Sequence, residues 1–182
     1  MIGIINCTLH CNLACRYCFE ENWKEKGISV ETINNQFLKS LNRFVEFSKK
    51  VIDQASGEYS EILLHGGEPL LISDENLESL FKAIREYNKE VQFSIQTNGT
   101  LLTKSKIDLF KKYHVKLGIS IDGPDFIHDE YRVGKTGNGS HSIIMHNIVE
   151  LRNSGLDCGA LVTFNAKSLK RIEDVYYFFR NN

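Results

Sequence analysis

Glu61-Ile62-Leu63-Leu64-His65-Gly66-Gly67-Glu68-Pro69 is a short β-rich run that breaks into a loop with paired glycines. Beyond it, Leu77, Leu80, Phe81 and Ile84 recur at three- and four-residue intervals, the spacing of one helix face. Ser73, followed by Asp74 and Glu75, reads as the N-cap of that helix, with acidic residues where a first turn favours them. Strand, polar loop and helix make one βα unit, and the same rhythm runs outward in both directions. The expected strands are Gly3 to Asn6, Glu61 to Leu64, Val91 to Thr97, Val115 to Ile121 and Leu156 to Thr163. The first helical face carries Ile33, Phe37, Leu41, Phe44, Val45 and Ser48. Later faces carry Ile107 and Phe110, then Ile144, Ile148 and Leu151, and finally Leu169, Ile172, Val175, Tyr176 and Phe179.

Repeated βα units predict an α/β fold with an open, mostly parallel sheet. A complete eight-stranded barrel takes about 250 residues, whereas this sequence has 182. Five units therefore predict a partial (β/α) barrel, an open arc. A fifth parallel strand with nothing beyond it exposes an apolar edge, so a further C-terminal part, a partner chain or a second copy is expected to cover it. The sequence contains no Pro-rich linker, low-complexity tract or repeat beyond this rhythm, so residues 1–182 read as one domain.

Composition narrows the class. With 42% hydrophobic and 25% charged residues the chain can bury a sizeable core, which excludes disorder. Lys and Arg total 22 against 23 for Asp and Glu, without a block of like charge, so no nucleic-acid footprint or polybasic membrane arm is expected. No apolar run approaches the roughly 20 residues that span a bilayer, and the first residues lack the basic region of a signal peptide. A soluble, cytoplasmic protein is the expectation. Four of the five cysteines, Cys7, Cys11, Cys15 and Cys18, fall near the N-terminus, while Cys158 stands alone. That is no disulfide framework, and in a reducing compartment the thiols are available to a metal.

The chemistry-bearing clusters each follow an expected strand, where the loops of a parallel sheet converge on ligands. Cys11, Cys15 and Cys18 are spaced C-x3-C-x2-C in the loop after the first strand. One loop of that spacing can wrap an iron-sulfur cluster, and three protein ligands on four irons leave one iron open to substrate or cofactor. Gly66 and Gly67 permit close backbone approach, and the Glu68 carboxylate can accept hydrogen bonds from an ammonium group. Gln96 to Thr100 and Ser120 to Pro124 add polar groups to the same mouth, and Arg132 supplies a cation suited to a carboxylate. The cysteines also admit a zinc site completed by Cys7 or His10. Cys7 and Cys158 read equally as buried strand residues. His65 reads as packing beside the sheet, His128 with Asp129 as a helix cap or charge pair, and Tyr17, Phe19 and Trp23 as a shield over the cysteine loop.

The C-x3-C-x2-C triplet with an aromatic before its last cysteine, joined to Gly66-Gly67-Glu68-Pro69 one unit later, resembles the radical SAM superfamily. Gln96-Thr97-Asn98-Gly99-Thr100, Ser120-Ile121-Asp122-Gly123-Pro124, His128-Asp129 and Arg132 resemble the branch of anaerobic sulfatase-maturating enzymes and peptide maturases with a SPASM extension. The resemblance implies that Cys11, Cys15 and Cys18 hold a 4Fe-4S cluster whose open iron is chelated by S-adenosyl-L-methionine. It implies that Gly66, Gly67 and Glu68 meet the methionyl amino group. Thr97, Asn98, Ser120 and Arg132 would contact the ribose or methionyl carboxylate, and the backbone near Val162 would face adenine. The implied activity is reductive cleavage of the cofactor to a 5'-deoxyadenosyl radical for modifying a peptide or protein, with an electron donor such as flavodoxin or ferredoxin. Members of this branch usually continue through a sixth βα unit into a cysteine-rich domain, whereas here only Cys158 follows Cys18, so no SPASM domain or auxiliary cluster is expected in residues 1–182. Two readings from other classes stand beside this one: a non-catalytic, zinc-stabilised or degenerate module that recruits a partner, and a simple iron-sulfur electron carrier.

Overall fold

The computed structural model describes residues 1–19 and 28–182. Trp23, one of the aromatic residues expected to shield the cysteine loop, lies outside the described residues. Five parallel strands form one sheet in the order of the chain: β1 (Ile2–Thr8), β2 (Glu61–Gly66), β3 (Gln92–Thr97), β4 (Lys116–Ser120) and β5 (Cys158–Leu161). The order never reverses, so each crossover steps one strand in the same direction, as in a barrel and unlike a doubly wound sheet. The connecting helices are α1 (Val30–Gln54), α2 (Asp74–Tyr87), α3 (Lys104–Tyr113), α4 (Asp125–Tyr131) and α5 (His141–Asn153), with α6 (Ile172–Asn181) after β5.

Alternate strand residues drive the packing. Ile5, Ile62, Leu64, Phe93, Ile95, Leu117 and Ile119 all belong to one buried core with the apolar faces of α1, α2, α3 and α5. Helix starts are locally encoded: Ser29, Ser73 and Thr103 each accept a backbone N–H of their own first turn. Cys7 is buried in the same core, as a small apolar residue would be. Among the described residues no helix is long and apolar enough to cross a membrane.

Several boundaries differ from the sequence reading. β1 extends beyond Gly3 to Asn6 at both ends, and β5 contracts from the expected Leu156 to Thr163 to four residues. Cys158 is only half-buried, because β5 is an edge strand whose Gly159, Ala160 and Leu161 are exposed. The seven-residue α4 was not expected, since it is too short to display a helical period. The final apolar pattern, counted from Leu169, does not lie on one helix. A short 3-10 turn over Ser168–Arg171 precedes α6, leaving Leu169, Ile172 and Tyr176 exposed while Val175 is buried.

Candidate functional site

The carboxyl ends of the strands surround a cleft of about 200 Å³. Cys11, Cys15 and Cys18 line it together with Gly66 and Gly67. Thr97, Asn98, Ser120 and Arg132 complete the set of expected site residues on its wall. Glu68 and Val162 are not on that wall, and Leu161 takes the place expected for Val162.

Gly66 and Gly67 are required by how closely the cysteine loop passes. Gly66 has a φ of +119°, and a Cβ there would stand 2.2 Å from the Thr8 carbonyl oxygen. A Cβ on Gly67 would stand 2.2 Å from the His10 carbonyl oxygen. The absent side chains let the Gly67 N–H donate to the Thr8 carbonyl at 2.8 Å and the Glu68 N–H to the His10 carbonyl at 2.9 Å. On its other flank the loop is stitched to the end of α4 and the residues just beyond it, with Ala14 N–H donating to Val133 and Arg16 N–H to Tyr131 at 2.7 and 2.9 Å. Asn98 ties the loop to β3, its Nδ2 donating to Asn12 Oδ1 at 2.9 Å and standing 3.7 Å from Cys11 Sγ. Asn12 in turn donates to Thr100 Oγ1 at 2.7 Å.

Glu68 reaches this assembly from behind. Its carboxylate is fully buried and accepts from Thr97 Oγ1 at 2.6 Å, Asn98 N–H at 2.8 Å and Leu70 N–H at 3.0 Å. Burial raises its pKa, while those three donors and the Lys106 charge act in the opposite direction. The side chain forms an internal brace that fixes Thr97 and the Asn98 backbone. The side chain turns inward to cap the 3-10 turn Pro69–Leu71, a choice of direction that spacing does not encode.

Asp122 organises the opposite wall, a part that the sequence reading did not single out. One oxygen accepts from Arg132 Nε at 3.0 Å and from the Tyr17 hydroxyl at 2.5 Å, and the other accepts from the Thr163 N–H at 2.9 Å. Burial works against the Arg132 charge, but Asp122 outweighs it and the pKa rises. The guanidinium lies 5.3 Å from the Tyr17 ring centroid, a cation–π distance. Sequence placed Ser120 to Pro124 at the mouth only as a polar stretch, because two of the partners of Asp122 are 105 residues upstream and 41 downstream.

His128 supports that wall without touching the cleft. Its Nδ1 accepts from the Asp122 N–H at 3.2 Å, so Nε2 carries the proton and donates to Ser140 Oγ at 2.9 Å. Ser140 Oγ donates onward to the Arg132 carbonyl at 2.8 Å. Burial pushes the His128 pKa down to about 4, which keeps the imidazole neutral as this relay demands. Asp129 caps α5 by accepting from the Ser140 and His141 N–H groups, the helix-cap alternative for this pair. His65, expected to pack beside the sheet, instead lines the cleft.

Burial pushes the Cys11 thiol up to about 12 and raises Cys15, on which the Arg132 charge acts in the opposite direction. Cys11 and Cys15 are thus protonated at neutral pH without a metal, and a bound metal must displace those protons. Among the described residues no three His, Cys, Asp or Glu side chains draw together closely enough for a single metal ion. The three thiols nonetheless line one cleft, as the ligands of a cluster in which each cysteine binds its own iron would. The donor set, all thiols, also suits iron-sulfur chemistry.

An open parallel α/β arc with a thiol-ringed cleft at its carboxyl edge defines a cluster-binding protein of the partial-barrel class. The model of the Radical SAM superfamily matches residues 5–179, and the chain belongs to that superfamily. Membership implies a 4Fe-4S cluster and S-adenosylmethionine as cofactors. The chain is 31% identical to a cysteine-type anaerobic sulfatase-maturating enzyme of Clostridium novyi, over 94% of this chain and 45% of that protein. It is 31% identical to a serine-type anaerobic sulfatase-maturating enzyme of Bacteroides thetaiotaomicron, over 93% of this chain and 41% of the relative. A solved structure, native anSMEcpe with bound AdoMet and Cp18Cys peptide, superposes with a TM-score of 0.80 at 26% identity, covering all of this chain and 47% of that one. The chain thus spans about half the length of the curated relatives it matches.

Proposed function

We propose that this chain is the cofactor-binding core of a radical SAM enzyme that modifies a peptide or protein side chain. The observation that carries the reading is the convergence of Cys11, Cys15 and Cys18 on one cleft with the Gly66–Gly67 backbone and Arg132. The three thiolates would hold the 4Fe-4S cluster. When bound, the cluster supplies one electron for reductive cleavage of S-adenosylmethionine. The Gly66–Gly67 backbone, bare of side chains, would receive the methionyl amino group, and Glu68 would keep that wall rigid through Thr97 and Asn98. Arg132 would pair with the methionyl carboxylate, held at the required angle by Asp122. Ser120 would present a hydroxyl to the ribose, and the backbone after Leu161, near Val162, would border the adenine. Tyr17 and Leu13 line the cleft beside the thiols. The names of the relatives support a peptide or protein substrate, and an electron donor such as flavodoxin or ferredoxin fits the chemistry.

Anaerobic reconstitution with iron and sulfide, followed by iron counting and an assay for 5'-deoxyadenosine under a strong reductant, tests this reading. About four irons per chain and dithionite-dependent nucleoside are expected. One zinc per chain with no iron uptake would overturn it in favour of a zinc-stabilised module.

A further inference from the structure

The strands that bring the cofactor groups to the edge also carry a second set of residues on the concave face. Cross-strand pairing sets Asn6 opposite His65, Gln96 opposite Gly118, and Gly118 opposite Gly159. His65 follows Leu64, which pairs with Ile95, so His65 stands beside Gln96 in the next step of the register. One row across the sheet, directly below the cleft, therefore runs from three polar side chains to two glycines. Gln96 and His65 both line the cleft, and neither belongs to the cofactor contacts proposed above.

The glycines explain the conformation of Gln96. A Cβ at Gly118 would stand 2.2 Å from Gln96 Oε1, so the carboxamide lies flat across the β4 backbone where a side chain would otherwise be. Its Nε2 donates to Ser120 Oγ at 3.1 Å. Among the described residues no hydrogen bond reaches Oε1. A carboxamide has two N–H donors and one carbonyl acceptor. After the bond to Ser120, one donor and the acceptor remain on a side chain that lines the cleft. Such a pair complements the N–H and C=O of one residue in an extended chain, which point to the same side of a strand. At Gly159, a Cβ would meet only the Leu117 carbonyl oxygen, at 3.9 Å, so the floor beyond Gln96 is free of side chains. Exposed Ile4, one strand position below Asn6's neighbour on β1, continues the same face as an apolar surface.

We propose that Gln96 is a specificity-determining residue that reads the main-chain N–H and C=O of one residue in an extended peptide substrate. Gly118 and Ser120 position its carboxamide for that contact. The inference rests on the peptide reading above and deepens it: recognition through the main chain selects a polypeptide of varied sequence over a small metabolite lacking amides.

The test uses reconstituted protein loaded with S-adenosylmethionine and a short fluorescein-labelled peptide of glycine, alanine and serine around one cysteine, followed by anaerobic fluorescence anisotropy. Gln96→Ala should weaken peptide binding about five- to tenfold, the value of one or two neutral hydrogen bonds. Gly118→Ala leaves Gln96 in place chemically but drives the carboxamide off β4, and it should weaken binding by a similar factor. The decisive readout is the double variant, whose loss should equal that of either single change, because both act through one carboxamide. Wild-type affinity in Gln96→Ala, or losses that multiply in the double variant, would overturn the proposal. So would a wild-type protein that holds cluster and S-adenosylmethionine yet does not bind the peptide, which leaves the cofactor reading intact. Loss of S-adenosylmethionine binding by the reconstituted wild type would instead strike the cofactor reading itself.

Discussion

The two faces of one sheet are built from the same strands and behave as different materials. On the helix side, Ile62, Leu64, Phe93 and Ile119 are wholly buried. On the concave side, Ile2 and Ile4 remain 59% and 57% exposed, and the neighbouring positions are His65, Ser94, Gln96, Lys116 and glycine. Alternation along each strand lets one face hold the fold while the other is left to chemistry. The clusters that carry cofactor chemistry stand where the strands end and neither face dominates. Stability and function are thus separated by a single step in register, and substitutions on the two sides should report on different quantities.

The largest expected contrast lies within the cysteines. Cys15→Ala should abolish iron uptake on reconstitution, whereas Cys7→Ala, in the helix-side core, should retain about four irons per chain. Equal loss in both, measured by iron assay, would erase the distinction between ligand and core thiol. Phe93→Ala should cost about 3–5 kcal/mol in urea denaturation, because it empties a fully buried aromatic site.

Acid should act mainly through the wall behind Arg132. His128 has a pKa lowered by burial from 6.5 to about 4, so between those values the unfolded chain binds a proton that the folded chain refuses. The His128 contribution is therefore flat above pH 6.5, and stability falls as the pH drops from there to about 4, by about 3 kcal/mol. Gln in place of His128 should flatten that part of the pH–stability curve, and an unchanged slope would place the acid sensitivity elsewhere. Glu68→Ala should weaken S-adenosylmethionine binding about tenfold with iron content retained, because the side chain braces the cleft wall and lies behind the thiols. Equilibrium dialysis checks this, and unchanged affinity would remove the brace from the account. The smallest effect is expected on the concave face, where Ile4→Ser should shift stability by no more than about 0.5 kcal/mol.

How far these features were legible follows from how local their causes are. β2 and β3 could be read because their apolar residues recur within a few positions and end in glycine or polar loops. β5 was overdrawn because Leu156 and Thr163 share its β propensity, while only Cys158–Leu161 find partners on β4. The final helix was misjudged at Leu169 because Arg171, at φ −122° and ψ 29°, interrupts what the spacing presents as one helix. The cysteine triplet and the glycine pair were visible as a constellation, since each lies in a single short loop. The inward turn of Glu68 and the role of Asp122 were not, because both depend on partners that only the folded sheet brings near. Gln96 was legible as a polar residue of the mouth, but its placement over Gly118 is a fact of register.

The central claim is that Cys11, Cys15 and Cys18 present a site-differentiated cluster to a cofactor lying against Gly66–Gly67 and Arg132. Electron–nuclear double resonance on the reduced, reconstituted protein with S-adenosylmethionine carrying nitrogen-15 at its amino group tests it most directly. A resolved nitrogen coupling, lost in Cys15→Ala and retained in Cys7→Ala, is the predicted result. A reduced cluster that shows no coupling to the labelled amino group, with the cofactor at saturating concentration, would contradict the account.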